Sequence, residues 1–456
     1  MESVTDNLNE GRTKELLGKI MVVALPAVVE SFFIALIGMI DSLMVSRLGT
    51  EAVAAVGLTV QPKFICICVF FAVNMAVSAV VARRRGEKNQ KSATEVFLAG
   101  FVFSLIAGIV ISIVAFVFAS PFVRLFGSQS DTHDMAVEYF RIIIGGQIFN
   151  ILTMSVNAAL RGAGNTKIAM KTNLLANSVN VVLNYLLING NLGFPKLGIK
   201  GAAIATVIGT FVGMIMSFAS LFKKDQFINI YYVIENKIKP TREAAKSIVK
   251  ISGATFTEQI FLRIGFSLSS IIAANLGTND FAVHNVAMNV MSLSFSFGDG
   301  MGVAAVALIG KSLGEKNAPL AKRYGKLCHM VGIVIASVLA LVYFFGGSFY
   351  FSLYFKESEL IEIGAKIMRL MIIVVFLQIT QVMYLGCLRG AGDVKFVTVT
   401  SVISVTILRP IFSFILAYSA GFGIFGIWIG ILMDQFARYL LASTRFASGK
   451  WTRFKV

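Results

Sequence analysis

The chain has 456 residues, of which 56% are hydrophobic and 14% are charged, whereas a soluble domain usually carries about 25% charged residues. Its 24 Asp and Glu and 41 Lys and Arg are too few to coat a water-soluble fold of this length. Composition therefore excludes both a soluble globular protein and a disordered chain. The apolar residues occur in runs of about 20, the length that crosses a bilayer as a helix, which predicts a polytopic membrane protein.

Twelve segments satisfy this length requirement. All are expected to be α-helices, because a lone strand in lipid leaves its backbone polar groups without partners. In chain order the segments cover residues 20–46, 52–82, 93–119, 136–160, 168–190, 199–222, 244–275, 280–310, 322–345, 360–387, 396–420 and 424–446. The fold class predicted is an all-α integral membrane protein with twelve transmembrane helices.

The net charge of +17 is carried mainly by the loops on one side of the predicted spans. If the N-terminus is cytoplasmic, the opposite loops carry only five cations: Arg47, Arg124, Lys196, Lys200 and Lys356. Cytoplasmic loops are enriched in Lys and Arg, so both termini are predicted to lie in the cytoplasm and the protein in the plasma or inner membrane. The cations form no single stripe, and nucleic acid is not expected as a partner.

The chain repeats itself at an offset of 228 residues, which becomes 225 near the ends of the two halves. The matching pairs are Glu30 and Glu258, Leu48-Gly49 and Leu276-Gly277, 86–89 and 314–317 (Gly-Glu-Lys-Asn), Arg141 and Arg369, 160–164 and 388–392 (Leu-Arg-Gly-Ala-Gly), and 198–201 and 423–426. Each half holds six spans, an even number, so both halves enter the membrane from the same side and form a parallel repeat. The repeat predicts a six-helix lobe at 1–222, a cytoplasmic linker at 223–243 and a second six-helix lobe at 244–456.

Several short motifs of the chain resemble those of the multidrug and toxic compound extrusion (MATE) transporters, and together they cover essentially the whole chain. They are Pro26, Gly38-Met39-Ile40-Asp41-Ser42, Arg47-Leu48-Gly49, the two Leu-Arg-Gly-Ala-Gly segments, Ala282-Val283-His284-Asn285 and Gly310-Lys311-Ser312-Leu313-Gly314. The resemblance implies two six-helix lobes related by a pseudo-two-fold axis, with a cavity between them that opens to alternate sides. It also implies a cation-coupled exporter of drugs and metabolites.

Ionisable residues inside a span cost about 3 kcal/mol each at a helix centre, and Asp41 in the first span is such a residue. The resemblance places the family's first-helix coupling acid on Asp41, which would carry a proton or bind a cation. The alternative is a structural carboxylate that caps a neighbouring helix or pairs with Arg47. Glu30 lies eleven residues earlier on the same helix face, and it is a candidate for the substrate cavity.

The fifth span places Asn177, Asn180 and Asn184 on one helix face. In the branch of the family with a coupling Asp on helix one, a polar cluster on helix five completes the site, and some members carry a second carboxylate at the position of Asn184. Asn180, Asn184 and, on the sixth span, Thr206 are therefore predicted to form the cation-coupling site with Asp41. The alternative is that the amides serve only as hydrogen bonds between helices.

The second half contains further polar residues inside spans, and four of them are predicted to contact substrate together with Glu30: Glu258, Arg263, His284 and Asp299. Glu258 is expected to attract a cationic substrate. Asp434 and Arg438, four residues apart, are predicted to form a structural ion pair. The NorM-like branch of the family uses acids on helices seven and ten, but the tenth span here has no acid at its centre. This departure favours a DinF-like arrangement built on Asp41.

The leading interpretation is a secondary active antiporter that exports organic, mainly cationic, compounds in exchange for H⁺ or Na⁺. No cofactor, metal site or catalytic residue is expected, since there is no phosphate-binding loop and no catalytic triad pattern. The expected partners are small organic cations, the coupling cation and the lipid bilayer, and the protein is expected to be a monomer. One alternative is a flippase for lipid-linked precursors or polysaccharides, and the other is an intramembrane enzyme.

Overall fold

A computed structural model describes residues 2–46, 48, 50–126, 128 and 132–454 of the chain, and all regular structure in these ranges is helical. The α-helices are α1 (Glu2–Ser46), α2 (Thr50–Gly86), α3 (Gln90–Val117), α4 (Ala119–Leu125), α5 (His133–Gly162), α6 (Thr166–Asn189), α7 (Gly198–Leu221), α8 (Ile230–Glu235), α9 (Arg242–Ala274), α10 (Thr278–Gly314), α11 (Ala318–Ser352), α12 (Ser358–Gly390), α13 (Val394–Val402), α14 (Arg409–Phe414) and α15 (Gly423–Ala447). The all-α prediction is confirmed.

Two π-helical segments, Ile403–Leu408 and Ile415–Ser419, connect α13 to α14 and extend α14. They join these short helices into one continuous element of 26 residues, Val394–Ser419. Short 3₁₀ turns follow α6 at Asn191–Gly193 and α15 at Lys450–Arg453.

Nine helical segments in the described part of the chain are long and apolar enough to cross a membrane. The other three predicted spans are also long helices, over α6, α9 and α12. Of these, α6 and α9 are more polar than the other long helices, and α6 carries the asparagines of the predicted coupling site. The chain is thus an all-helical protein of membrane-spanning composition.

The described residues form two compact units, one of residues 1–31 and 253–456 and the other of residues 32–252. The first part of α1 therefore groups with the second half of the chain, and the rest of α1 with the first half. This division differs from the lobe boundaries expected from the repeat, which stay a prediction about the arrangement in the membrane.

The repeated motifs adopt the same local structure in both halves. In the Gly-Glu-Lys-Asn segments, Lys88 and Lys316 have φ of 56° and 55°. The side chains of Asn89 and Asn317 then cap the next helix by accepting from the backbone N–H of Ser92 and Leu320. These motifs are helix-reversing turns, since a left-handed residue ends one helix and an Asn cap begins the next.

The Leu-Arg-Gly-Ala-Gly motifs place a glycine where two helices touch. A Cβ on Gly162 would lie 2.4 Å from the carbonyl oxygen of Ser78, and a Cβ on Gly390 would lie 2.6 Å from that of Val306. Ser78 and Val306 are themselves related by the 228-residue offset. The motif therefore allows α5 to approach α2, and α12 to approach α10, more closely than any larger residue permits.

Candidate functional site

Asp41 on α1 and Asn184 on α6 are in direct contact. The Nδ2 of Asn184 donates a hydrogen bond to Oδ1 of Asp41. Asn184 is fully buried, whereas Asp41 is half-buried. The two principal residues of the predicted coupling site thus lie together, while Arg47, the alternative partner of Asp41, lies outside the described residues.

Asn180 and Thr206 form the second polar contact of this site. Asn180 Nδ2 donates to Thr206 Oγ1 at 3.1 Å, and the Thr206 hydroxyl donates to the carbonyl of Ala202 at 2.9 Å. Gly209 explains how α7 comes so near to α6, because a Cβ there would lie 2.6 Å from the carbonyl oxygen of Ala176. Asn180 and Asn184 are one helical turn apart, so the two contacts continue along one face of α6.

Asn184 has one hydrogen-bonding atom without a partner. Its Oδ1 is buried and accepts no hydrogen bond from the residues that the structure describes. A buried amide oxygen without a donor is uncommon and calls for a ligand or a second hydrogen-bonding state. Because the atom belongs to the same amide that contacts Asp41, Asn184 can offer either a donor or an acceptor to that carboxyl group.

Two residues near Asp41 were missed by the sequence analysis. Lys63 on α2 and Tyr139 on α5 both interact electrostatically with Asp41. Lys63 follows Pro62 inside α2, and a lone cation within an apolar span is the signal that could have identified it. Tyr139 is only 4% exposed, and nothing in the sequence distinguishes it from an ordinary core residue.

Glu258 on α9 is part of a buried ion pair. Its Oε1 accepts from Nη2 of Arg389 at 2.6 Å and from the Ser401 hydroxyl at 2.8 Å, and the side chain is 1% exposed. Arg389 belongs to the second Leu-Arg-Gly-Ala-Gly motif. Both partners lie on other helices, so one side of the carboxylate is occupied by α12 and α13.

The other predicted substrate residues differ in their burial. His284 is buried against Trp428, with ring centroids 5.8 Å apart. Arg263 is half-buried and Asp299 is exposed. Glu30 is buried and belongs to the unit of residues 1–31 and 253–456. Their common role in substrate binding stays a prediction.

The predicted ion pair between Asp434 and Arg438 is confirmed. Arg438 donates to both carboxylate oxygens, from Nε at 2.9 Å and from Nη2 at 2.8 Å. The structure adds Arg409 on α14, whose Nε donates to the same carboxylate at 3.0 Å. The pair is therefore a triad that joins α14 to α15.

Comparison with known proteins gives one consistent result. The family profile described as MatE matches residues 26–186 and 254–415. A probable multidrug resistance protein NorM from Thermotoga maritima is 26% identical over 442 residues, 96% of this chain and 94% of that protein. A protein of the same name from Oceanobacillus iheyensis is 25% identical over 425 residues, 92% of this chain and 94% of that protein.

A solved structure supports the same fold. The outward-facing conformation of a multidrug resistance MATE family transporter of the MOP superfamily matches with a TM-score of 0.87 at 23% identity, covering 95% of this chain and 96% of that one. The relatives named above are NorM proteins, so a DinF-like assignment is not confirmed.

Both halves of the chain match the family profile, and the fold agrees with it. The chain is a multi-pass membrane protein and a transporter, not an enzyme. It belongs to the MatE family, the multidrug and toxic compound extrusion transporters.

Proposed function

We propose that this protein is a monomeric, secondary active multidrug efflux transporter that exports organic, mainly cationic, compounds in exchange for H⁺ or Na⁺. The observation that carries the proposal is the contact between Asp41 and the buried amide of Asn184. It combines a carboxylate that can be neutralised with an amide whose Oδ1 accepts no hydrogen bond from the described residues. Ionisable groups inside a membrane span are costly, and where they occur they mark ion pathways.

Asn184 allows this site to exist in two states. When Asp41 is ionised, Nδ2 of Asn184 donates to the carboxylate, as in the structure. When Asp41 is protonated, rotation of the amide lets Oδ1 accept the O–H of the carboxylic acid. If the coupling ion is Na⁺, the same two oxygen-bearing side chains face the ion, since Na⁺ is bound by oxygen ligands such as carboxylate and amide groups.

Coupling follows from the different environments that the two states prefer. An ionised Asp41 favours a water-accessible arrangement, whereas a neutralised Asp41 tolerates closure against apolar surroundings. A cationic drug stabilises an arrangement in which negative charge remains available to it. Because each ligand shifts the equilibrium by its differential affinity, drug and coupling cation exchange with one another.

Lys63 is a third positive group, besides the drug and the coupling cation, that is attracted to the carboxylate of Asp41. Its electrostatic attraction to the carboxylate stabilises the cation-free state, which limits the cost of an ionised Asp41 in the span. The chain has Asn184 where a second acid stands in some relatives, so an internal cation beside a single carboxylate leaves the empty site near neutrality. A site with a single acid can therefore be emptied without leaving an unbalanced charge.

For the cargo, Glu30 and Asp299 are candidate contacts of a cationic substrate. Glu258 already pairs with Arg389, and we assign it a positioning role.

We further propose that the protein lies in the plasma or inner membrane with twelve spans, including α6, α9 and α12, and with both termini in the cytoplasm. The coupling site is DinF-like in using Asp41 on the first helix.

Transport by the purified protein in proteoliposomes tests the proposal. A fluorescent monocationic dye is loaded, and a pH gradient or a Na⁺ gradient is imposed separately with the membrane potential clamped. We expect dye efflux under one of the two gradients and its collapse when that gradient is dissipated. Dye movement that ignores both gradients would contradict cation coupling, and movement of lipid-linked sugars in place of dye would favour the flippase.

A further inference from the structure

The Arg409–Asp434–Arg438 triad carries one more positive charge than negative. The three side chains are 1%, 0% and 10% exposed, respectively. One carboxylate neutralises one guanidinium, and the charges that act on Arg409 are those of Asp434 and Arg438. A buried charge without its counter-charge is strongly destabilising, and a bound anion would offset the surplus at this site.

Three hydrogen-bonding atoms around Arg409 are buried and have no hydrogen-bond partner among the described residues: Arg409 Nη2, Trp428 Nε1 and His284 Nδ1. Nη2 forms an ion pair with the Asp434 carboxylate at 2.8 Å but makes no hydrogen bond with it. The indole N–H can only donate, and a histidine ring nitrogen can do so when it is protonated.

These three groups belong to one neighbourhood. The rings of His284 and Trp428 lie 5.8 Å apart, and His284 interacts electrostatically with Arg409. Trp428 is fully buried and His284 is 3% exposed. The guanidinium of Arg409 also lies over the ring of Phe266, 4.9 Å from its centroid, which fixes its position.

The backbone brings the triad together by close helix packing. A Cβ on Gly430 would lie 2.3 Å from the Ser413 hydroxyl, so α15 approaches α14 at this point. Arg409 is one turn before Ser413 and Asp434 is one turn after Gly430, which places them opposite each other in the antiparallel pair. The flanking π-helical segments are of a kind that occurs at functional sites.

The equivalent positions of the first half do not carry the triad residues. At the 225-residue offset of this part of the repeat, Asp434 and Arg438 correspond to Gly209 and Gly213. In that half the two glycines simply allow α7 to pack against α6. The charged cluster is therefore a feature of the second half alone and is not required by the repeated fold.

We propose that this cluster is a binding site for a small monovalent anion of halide size, held between α10, α14 and α15. The guanidinium of Arg409, the indole N–H of Trp428 and the imidazole of His284 bind the anion, whose charge balances the triad. Hydrogen bonds from charged and neutral N–H groups to an anion are the strongest that such donors make. The site is separate from Asp41 and does not depend on how efflux is driven.

The two tryptophans of the chain allow a direct test. Trp451→Phe leaves Trp428 as the only indole, and Trp428→Phe leaves Trp451 as a matched control. Trp451 is also fully buried, but its Nε1 already donates to the carbonyl of Phe446 at 2.8 Å. Iodide, which quenches indole fluorescence, is titrated against each protein in detergent, with gluconate keeping the ionic strength constant.

We expect saturable quenching of Trp428 by iodide and its reversal by chloride, which does not quench indole. Trp451 should show no saturable phase, and caesium should quench neither residue. His284→Phe, in the Trp451→Phe background, keeps a ring in place but removes the nitrogen, and should weaken iodide binding about tenfold, as for loss of one hydrogen bond to a charged group. Asp41→Asn should leave iodide binding unchanged, so this test is independent of transport.

Three results would overturn the proposal: linear quenching of Trp428, quenching that chloride does not reverse, or equal quenching of Trp451. If His284→Phe does not fold, Arg409→Lys provides the second variant. It keeps the charge but loses the planar guanidinium, and it too must weaken iodide binding. Unchanged binding in that variant would remove Arg409 from the site.

Discussion

The side-chain amide of Asn184 donates a hydrogen bond to the carboxylate of Asp41 across 143 residues of chain. This contact ties α1 to α6 within the unit of residues 32–252. In place of a second carboxylate beside Asp41, this chain carries an amide, which cannot be protonated but can both donate and accept hydrogen bonds. The predictions for coupling follow from that difference.

Asp41→Asn removes the charge at nearly constant size and polarity, so the protein should fold and bind dye but lose gradient-driven efflux. The measurement is dye efflux in proteoliposomes, with dye binding followed by fluorescence anisotropy. Asp41→Glu serves as the control and should retain part of the activity, because the titratable group is kept. Efflux at the wild-type rate in Asp41→Asn would remove Asp41 from the mechanism.

Asn184→Asp places a second carboxylate beside Asp41. Two adjacent carboxylates cannot easily ionise together, so one proton is held to a higher pH. We therefore expect the pH optimum of efflux to move upward. Asn184→Ala should lower efflux without moving the optimum in that direction, and an unshifted profile in Asn184→Asp would show that the two side chains do not share a proton.

Lys63→Met removes the cation that attracts Asp41. Without this competitor, Asp41 should hold the coupling cation more tightly, and the cation concentration for half-maximal efflux should fall severalfold. Maximal efflux should also fall, because release of the cation becomes slower. Lys63→Arg keeps the charge and should resemble wild type. A higher half-saturating concentration in Lys63→Met would mean that Lys63 assists cation binding.

Glu258→Gln breaks a buried ion pair, and the expected loss of stability is about 3 kcal/mol. The lower part of the usual range applies because Arg389 is 18% exposed. Thermal unfolding in detergent measures the loss, and Glu258→Gln combined with Arg389→Gln should recover part of it. Efflux per folded molecule should fall equally for cationic and neutral cargo. A selective rise in KM for cationic dyes would instead assign Glu258 to substrate binding.

The twelve-span topology makes opposite predictions for two exposed loop lysines, Lys196 and Lys224. In a background without the four native cysteines, which are all buried, Lys224→Cys should react with a membrane-impermeant maleimide only from the cytoplasmic side. Lys196→Cys should react only from the outside. Labelling of both positions from the same side of intact cells would contradict the topology.

The class of the molecule and the local form of its repeated motifs are encoded in the amino-acid sequence. Long apolar runs cannot be solvated, so they specify membrane helices without any knowledge of their neighbours. The Gly-Glu-Lys-Asn turns are also encoded locally, since the Asn cap contacts a backbone N–H only three residues away. The ion pair of Asp434 and Arg438 follows from their spacing on one helix.

Which polar residues share a site depends on the tertiary structure and could not be predicted from the sequence. Glu258 and Arg389 are 131 residues apart in the chain, and Arg409 and Asp434 are on different helices. Helical periodicity gives the face on which a residue lies but not the helix that it meets. The role of Lys63 could not be predicted for the same reason, because the sequence does not show that Lys63 on α2 lies beside Asp41 on α1.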